Sequence, residues 1–148
     1  MRLFLSLALL LSACDGGGIP TIETTTFNPS LQVDLAKSTK TADGVYLRDF
    51  TVGTGPQVKP GQLLQVHYAA ALPNGNVLEV NGTNDTPYPF HLGAGDVIAG
   101  WDEGLLGATV GTNRQLIIPP ALGYGPYANG PIPANSILVF SVVIVSAQ

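Results

Sequence analysis

The chain is short of the residues that most chemistry needs. It has one cysteine, Cys14, and two histidines, His67 and His91. No intrachain disulfide can therefore form, and neither histidine has a second histidine or cysteine at metal-ligand spacing. A G-x-S-x-G nucleophile elbow is missing, and "GAGDVI", Gly93 to Ile98, lacks the third glycine of a dinucleotide fingerprint. Charged residues are only 11% of the 148 and the formal net charge is −4, which removes the basic footprint that nucleic acid requires. Asp102 and Glu103 are neighbours on a predicted helix and so point apart, not toward one substrate atom. No metal and no cofactor is implied. The length suits one domain with a sizeable core, held by packing alone.

The N-terminus is of a different kind. "MRLFLSLALLLSAC" places Arg2 before an apolar run from Leu3 to Leu11 and small residues before Cys14. That is a secretory signal, too short to span a bilayer as a helix. Its end, "LSAC", resembles the bacterial lipobox, which implies removal of residues 1–13, lipidation of Cys14 and a place in the cell envelope facing the periplasm or exterior. From Asp15 to Thr41 the chain is rich in Gly, Thr, Ser and Pro without a sustained period. Residues 14–41 are read as the lipidated cysteine and a flexible tether, with Ser30–Ala36 pairing as an extra edge strand or packing on the domain surface as the alternative.

Residues 42–148 carry sheet signals. "GVYLRDFTVG" alternates Val45, Leu47 and Asp49 against Tyr46, Arg48 and Phe50, and a strand is predicted over Leu63–Ala71. "PNGN", Pro73 to Asn76, is a hairpin turn in which Asn74 and Gly75 tolerate positive φ. Further strands are expected at "NVLEV", "YPFHL", "RQLIIP" and the long β-branched "SILVFSVVIVS". Only Val97–Leu106 reads as helix, with Val97, Trp101 and Leu105 four apart and Gly100 and Gly104 weakening it from inside. The fold class is α+β, one short helix against an antiparallel sheet.

The chain's single tryptophan lies in that helix. A large ring beside a glycine is either core filling or the floor of a cavity whose wall the glycine thins. Tyr68, Tyr88, Phe90, Tyr124 and Phe140, with Val97, Ile98 and Ile132, are either core or the lining of a pocket for an apolar, carbonyl-bearing ligand.

Four stretches, "VHYAAALPNGNVLE", "FHLGAGDVIAGWDEGLLGATVG", "LIIPPALGYG" and "IPANSILVFSVVIV", resemble in order and spacing the FKBP-type peptidyl-prolyl cis-trans isomerases. The resemblance implies a half-open, twisted antiparallel sheet wrapped round one short helix, and an isomerase acting on proline-containing polypeptides as a monomer. It implies Trp101 as the pocket floor, Val97 and Ile98 on the turn before the helix, and an Ile98 backbone N–H that meets the ligand carbonyl. Tyr68, Glu79 and Tyr124 fall at the family's catalytic positions; Leu78, Tyr88, Phe90, Ile132 and Phe140 complete the substrate-binding set. Leu78 and Glu79 stand where the family has phenylalanine and aspartate, which implies weakened macrolide binding and favours, as the alternative, a non-catalytic proline-binding module or chaperone. The loop Pro126–Ser136 is a residue short, and no chaperone domain interrupts it.

Overall fold

Period-two alternation of apolar residues gives one seven-stranded antiparallel sheet in the computed structural model, which describes residues 17–148. The signal sequence and Cys14 lie outside the described residues. The strands are β1 Thr39–Lys40, β2 Tyr46–Thr51, β3 Leu63–Ala71, β4 Val77–Asn81, β5 Tyr88–His91, β6 Asn113–Ile118 and β7 Leu138–Ala147, with one helix, α1, at Ala99–Gly104. Their order across the sheet is β1-β2-β6-β7-β3-β4, and β5 follows β4 along the same edge of β3. The chain thus has the architecture its motifs imply, an open antiparallel sheet with one short helix.

Because side chains alternate across a strand, the sheet has two apolar faces. Leu64, Val66, Leu116, Ile118, Leu138, Phe140, Val142 and Ile144 pack with Trp101 and Leu105 of the helix segment. Helix α1 is shorter than the expected Val97–Leu106. Ile98 is extended at its N-cap (φ −59°, ψ 148°), and Gly107 turns left-handed at φ +77°, so only six residues are helical. The two helical glycines do not thin a cavity wall. A Cβ on Gly100 would lie 2.5 Å from Ile118, and one on Gly104 2.6 Å from Leu116, so both let α1 settle closely on β6. Arg114 completes this junction: its guanidinium forks onto Asp49 of β2 at 2.6 and 2.9 Å and donates to the Gly104 carbonyl at 2.9 Å, satisfying an end carbonyl of the helix.

The expected tether is, in its described part, laid on the opposite face. Single 3-10 turns at Ile22–Thr24, Pro29–Leu31 and Leu35–Lys37 carry Ile22, Phe27, Leu31, Val33 and Leu35 onto Ile117, Ile137 and Val139. Ile22 is buried. The alternative of surface packing by Ser30–Ala36 is therefore nearer the outcome, as turns and not as an edge strand. Polar pins hold this strap. Gln115 Nε2 donates to Leu31 O at 2.7 Å, Asn28 N to Pro73 O at 2.8 Å, and Lys40 Nζ and Tyr46 OH both donate to Glu23 Oε1 at 2.6 and 2.7 Å. Among the described residues, no helix is long and apolar enough to cross a membrane.

Candidate functional site

Trp101 is where rings converge. It is 4% exposed and stands edge-on to Tyr68 at 5.2 Å, Phe140 at 5.3 Å, Phe90 at 5.5 Å and Tyr88 at 6.5 Å between centroids, a geometry that aromatic quadrupoles favour. The four rings around it come from three strands. Tyr68 is on β3, Tyr88 and Phe90 on β5, Phe140 on β7, and each points to the face that α1 covers.

One side of this cluster is open. A cavity of about 480 Å³ is lined by Tyr68, Glu79, Tyr88, Asp96, Val97, Ile98, Trp101, Tyr124 and Phe140. Trp101 and Phe140 give it an apolar floor, and Tyr68, Tyr88 and Tyr124 are among its lining residues. Burial, and after it the neighbouring Glu79 carboxylate, push the Tyr68 phenol well above the ordinary tyrosine range. The hydroxyl therefore stays protonated and able to donate. Tyr124 is 38% exposed, and the Ile98 backbone N–H is given no acceptor by the described residues. A groove of about 500 Å³ near the strap is comparable in volume, but its lining mixes small aliphatic and polar side chains with Phe50 and Phe140 and lacks tyrosine and tryptophan. Lining chemistry, not volume, separates the two.

Three of the expected binding residues sit elsewhere. Phe90 is buried behind Trp101 at 2% exposure and supports the floor without lining the cavity. Leu78 and Ile132 line an adjoining groove of about 210 Å³ that shares Glu79, Tyr124 and Phe140 with the main cavity. A bulge explains why Leu78 and Glu79 both face this side. β3 pairs Ala70 with Glu79 and Ala71 with Val77, so Leu78 is the extra residue and the alternation is broken there.

Sequence reasoning missed the roles of two carboxylates, Asp96 on the loop between β5 and α1 and Asp102 in α1. Asp96 lines the cavity, and its Oδ2 accepts from the His91 backbone N–H at 2.9 Å and pairs with His91 Nδ1 at 3.2 Å. The backbone N–H first, then the ring, hold its carboxyl below the usual aspartate range. Asp102 reaches back from α1 to accept from Gly93 N at 2.7 Å and Gly95 N at 3.2 Å, fixing the turn that presents Val97 and Ile98. The readable signal was an acid in the first helical turn after a glycine-rich loop whose N–H groups need acceptors. The other histidine, His67, bonds Asn81 at 2.9 Å. Among the described residues, no three His, Cys, Asp or Glu side chains converge as a metal site requires.

A cavity floored by Trp101 and Phe140 and lined by three tyrosines suits an apolar ligand that also carries hydrogen-bonding groups. Comparison with known proteins places the chain in a family. A model of the FKBP-type peptidyl-prolyl cis-trans isomerase family matches residues 55–145. A peptidyl-prolyl cis-trans isomerase of Saccharomyces cerevisiae is 44% identical over 112 residues, 76% of this chain and 27% of that protein. An FK506-binding protein 2 of Dictyostelium discoideum is 46% identical over 90 residues, 60% of this chain and 68% of the other. The chain thus spans 27% of the first of these relatives. The crystal structure of AtFKBP13 superposes with TM-score 0.70 at 32% identity, covering 75% of this chain and 98% of that one. That of FkpA from Escherichia coli gives 0.69 at 31%, covering 76% and 52%. With the sheet, the bulge and the ring-floored cavity in place, the chain belongs to the FKBP-type peptidyl-prolyl cis-trans isomerase family.

Proposed function

We propose that the chain isomerises X-Pro bonds of polypeptides in the Trp101 cavity. The observation that carries this is the convergence of four rings on Trp101 beside an open volume that Tyr68 and Tyr124 also line. The proline ring rests on Trp101 and Phe140, and the carbonyls of its flanking residues meet the Tyr124 hydroxyl and the Ile98 N–H.

The reaction needs no acid, base or nucleophile. The planar amide owes its barrier of about 18–20 kcal/mol to resonance that places negative charge on oxygen, so a water-free apolar cavity favours the twisted amide relative to the planar one. Uncatalysed exchange takes roughly tens to hundreds of seconds. A gain of about 10⁴ to 10⁶ requires about 5.5–8 kcal/mol, within reach of shape fit, desolvation and two or three hydrogen bonds.

A proline-limited refolding assay on the whole chain tests this. Acceleration proportional to protein concentration is the expected result. Unchanged slow phases alongside binding of proline peptides, read by Trp101 fluorescence, would replace it with the binding-module reading, which Leu78 favours by placing an aliphatic side chain where the family has a ring. The same substitution supports weak macrolide affinity.

The location is a second part of the proposal and rests on "LSAC" alone. Cys14 carries lipid and holds the domain at the cell envelope, where exported polypeptides are the clients. Intact-mass analysis of protein extracted from native membranes is expected to show loss of residues 1–13 and a lipid increment; an unmodified Cys14 overturns it.

A further inference from the structure

Asparagine is followed by glycine three times, at Asn74-Gly75, Asn81-Gly82 and Asn129-Gly130. Such a pair is open to a reaction within the chain itself, because glycine has no Cβ to shield its backbone nitrogen from the preceding side-chain amide. The reaction needs that nitrogen free of its hydrogen bond and the asparagine side chain free to turn toward it. The fold treats the three pairs differently.

In the hairpin between β3 and β4, Gly75 N donates to Leu72 O at 2.9 Å and Asn74 Oδ1 accepts from Asn76 N at 2.9 Å. At the end of β4, Gly82 N donates to Asp85 Oδ2 at 2.6 Å. There Asn81 Oδ1 meets His67 Nδ1 and Asn81 Nδ2 donates to Thr86 O, each at 2.9 Å. In both pairs the attacking nitrogen and the attacked amide are tied down. Asn129 and Gly130 are exposed. Asn129 N donates to Ile132 O and Ile132 N to Asn129 O, both at 2.9 Å; these bonds hold the turn and use neither reacting group. The Asn129 side-chain amide and the Gly130 N–H have no partner among the described residues.

We infer that Asn129 is a site of spontaneous deamidation whose product alters the groove beside the Trp101 cavity. Gly130 N, once it gives its proton to hydroxide, bonds to Asn129 Cγ, and the side-chain nitrogen takes a proton and leaves as ammonia. Water then opens the cyclic imide. Breaking the bond between Cγ and Gly130 N gives aspartate. Breaking the bond between that nitrogen and the α-carbonyl gives isoaspartate, whose main chain runs through the former side chain and is one methylene longer. Either product adds a negative charge. Asn129 lines the adjoining groove together with Leu78, Glu79 and Ile132, so the new charge arises in the groove that the Glu79 carboxylate also lines, and the longer isoaspartate backbone breaks the paired bonds to Ile132. The modification stands apart from the isomerase reading; its effect on turnover rests on that reading.

The test incubates the whole chain at mildly alkaline pH and maps its peptides by mass spectrometry at successive times, each deamidation raising a peptide by one mass unit. Asn129 is expected to convert about tenfold faster than Asn74 or Asn81, since each of those must first open at least two hydrogen bonds. In concentrated urea, where glycine follows each asparagine but no fold protects it, the three rates are expected to converge. Conversion of Asn74 or Asn81 as fast as that of Asn129 in the folded chain, or the same order of rates in urea, overturns the site. For the effect, kcat/KM on a leucine-proline peptide is expected to fall as the parent ages and to hold in Asn129→Gln aged beside it, because glutamine would have to close a larger ring. A parent converted at Asn129 with turnover unchanged overturns the effect and leaves the isomerase reading intact. If the fresh chain shows no turnover, that reading fails, and the effect is decided by titrating a proline peptide against the fluorescence of Trp101, the chain's one tryptophan: weaker binding after ageing supports it, and equal binding overturns it.

Discussion

On one face of the sheet a six-residue helix covers β6 and leaves Trp101 at the floor of an opening; on the other a strap without a regular helix or long strand lies over Ile117, Ile137 and Val139. Both faces bury apolar side chains, yet they are closed by different means. The helix face is sealed by rings and by the close approach that Gly100 and Gly104 permit. The strap face relies on scattered aliphatic contacts and polar pins at Glu23, Asn28 and Leu31. Covering with a short element leaves surface uncovered, and that remainder is the cavity. The strap leaves no comparable set of rings exposed, so its contribution is to stability.

The largest separation is expected from truncating Trp101. Trp101→Ala removes the ring that four others touch and should destabilise the domain by about 3–5 kcal/mol, with turnover lost at temperatures where the variant is still folded. Circular dichroism melts give the stability, since the fluorescence probe is removed with the ring. A variant as stable as the parent would place the ring outside the load-carrying packing of the helix face.

Ile22→Ala makes the corresponding cut under the strap. A buried isoleucine reduced to alanine costs about 2–5 kcal/mol, and the lower half of that range is expected because a strap of single turns can settle into the gap. Here kcat/KM on a leucine-proline peptide should stay within about twofold of the parent while the protein is folded. Loss of turnover without loss of structure would show that the two faces are coupled through β6 and β7, and the division drawn above would fail.

A change within the helix face alone sharpens the contrast. Leu78→Phe with Glu79→Asp restores the family pattern at the bulge, closing the adjoining groove with a ring. An increase in kcat/KM of about tenfold is expected, about 1.4 kcal/mol of transition-state stabilisation, with little change in melting temperature. An unchanged or lower kcat/KM would mean that the bulge does not limit water exclusion from the cavity.

These regions also differed in how readable they were. Strand alternation located β3 and the hairpin after it, because period two is set by the backbone and Gly75 takes the positive φ, +93°, that the turn needs. Periodicity overextended α1, since it cannot see that Ile98 is already extended or that Gly107 ends the turn left-handed. The strap was unreadable as packed structure because Ile22, Phe27, Leu31, Val33 and Leu35 follow no period; single 3-10 turns repeat nothing that a window can detect. The cavity residues were gathered by family resemblance, not by pattern, and that resemblance could not foresee the placement of Leu78 and Ile132 in the adjoining groove. Asp96 and Asp102 were missed because a carboxylate that accepts backbone N–H groups looks, in sequence, like any solvated acid.

The smallest effect should come from the polar pin of the strap. Glu23 accepts from Lys40 and Tyr46 through one oxygen, at 2.6 and 2.7 Å, and the Lys40 contact first, then the Tyr46 hydroxyl, lower its carboxyl from 4.5 to about 2. A depressed carboxyl favours the folded state while it is ionised, so its contribution is fully present above pH 4.5 and is lost as pH falls through about 2. The pin lies at the surface, where screening keeps such contacts weak. Melting temperatures of the parent and Glu23→Gln are therefore expected to differ slightly at pH 7 and low salt, and to converge both at high salt and near pH 2. A difference that holds constant from pH 7 to pH 2 would mean that the strap is held by its aliphatic contacts alone, and that charge plays no part in closing the second face.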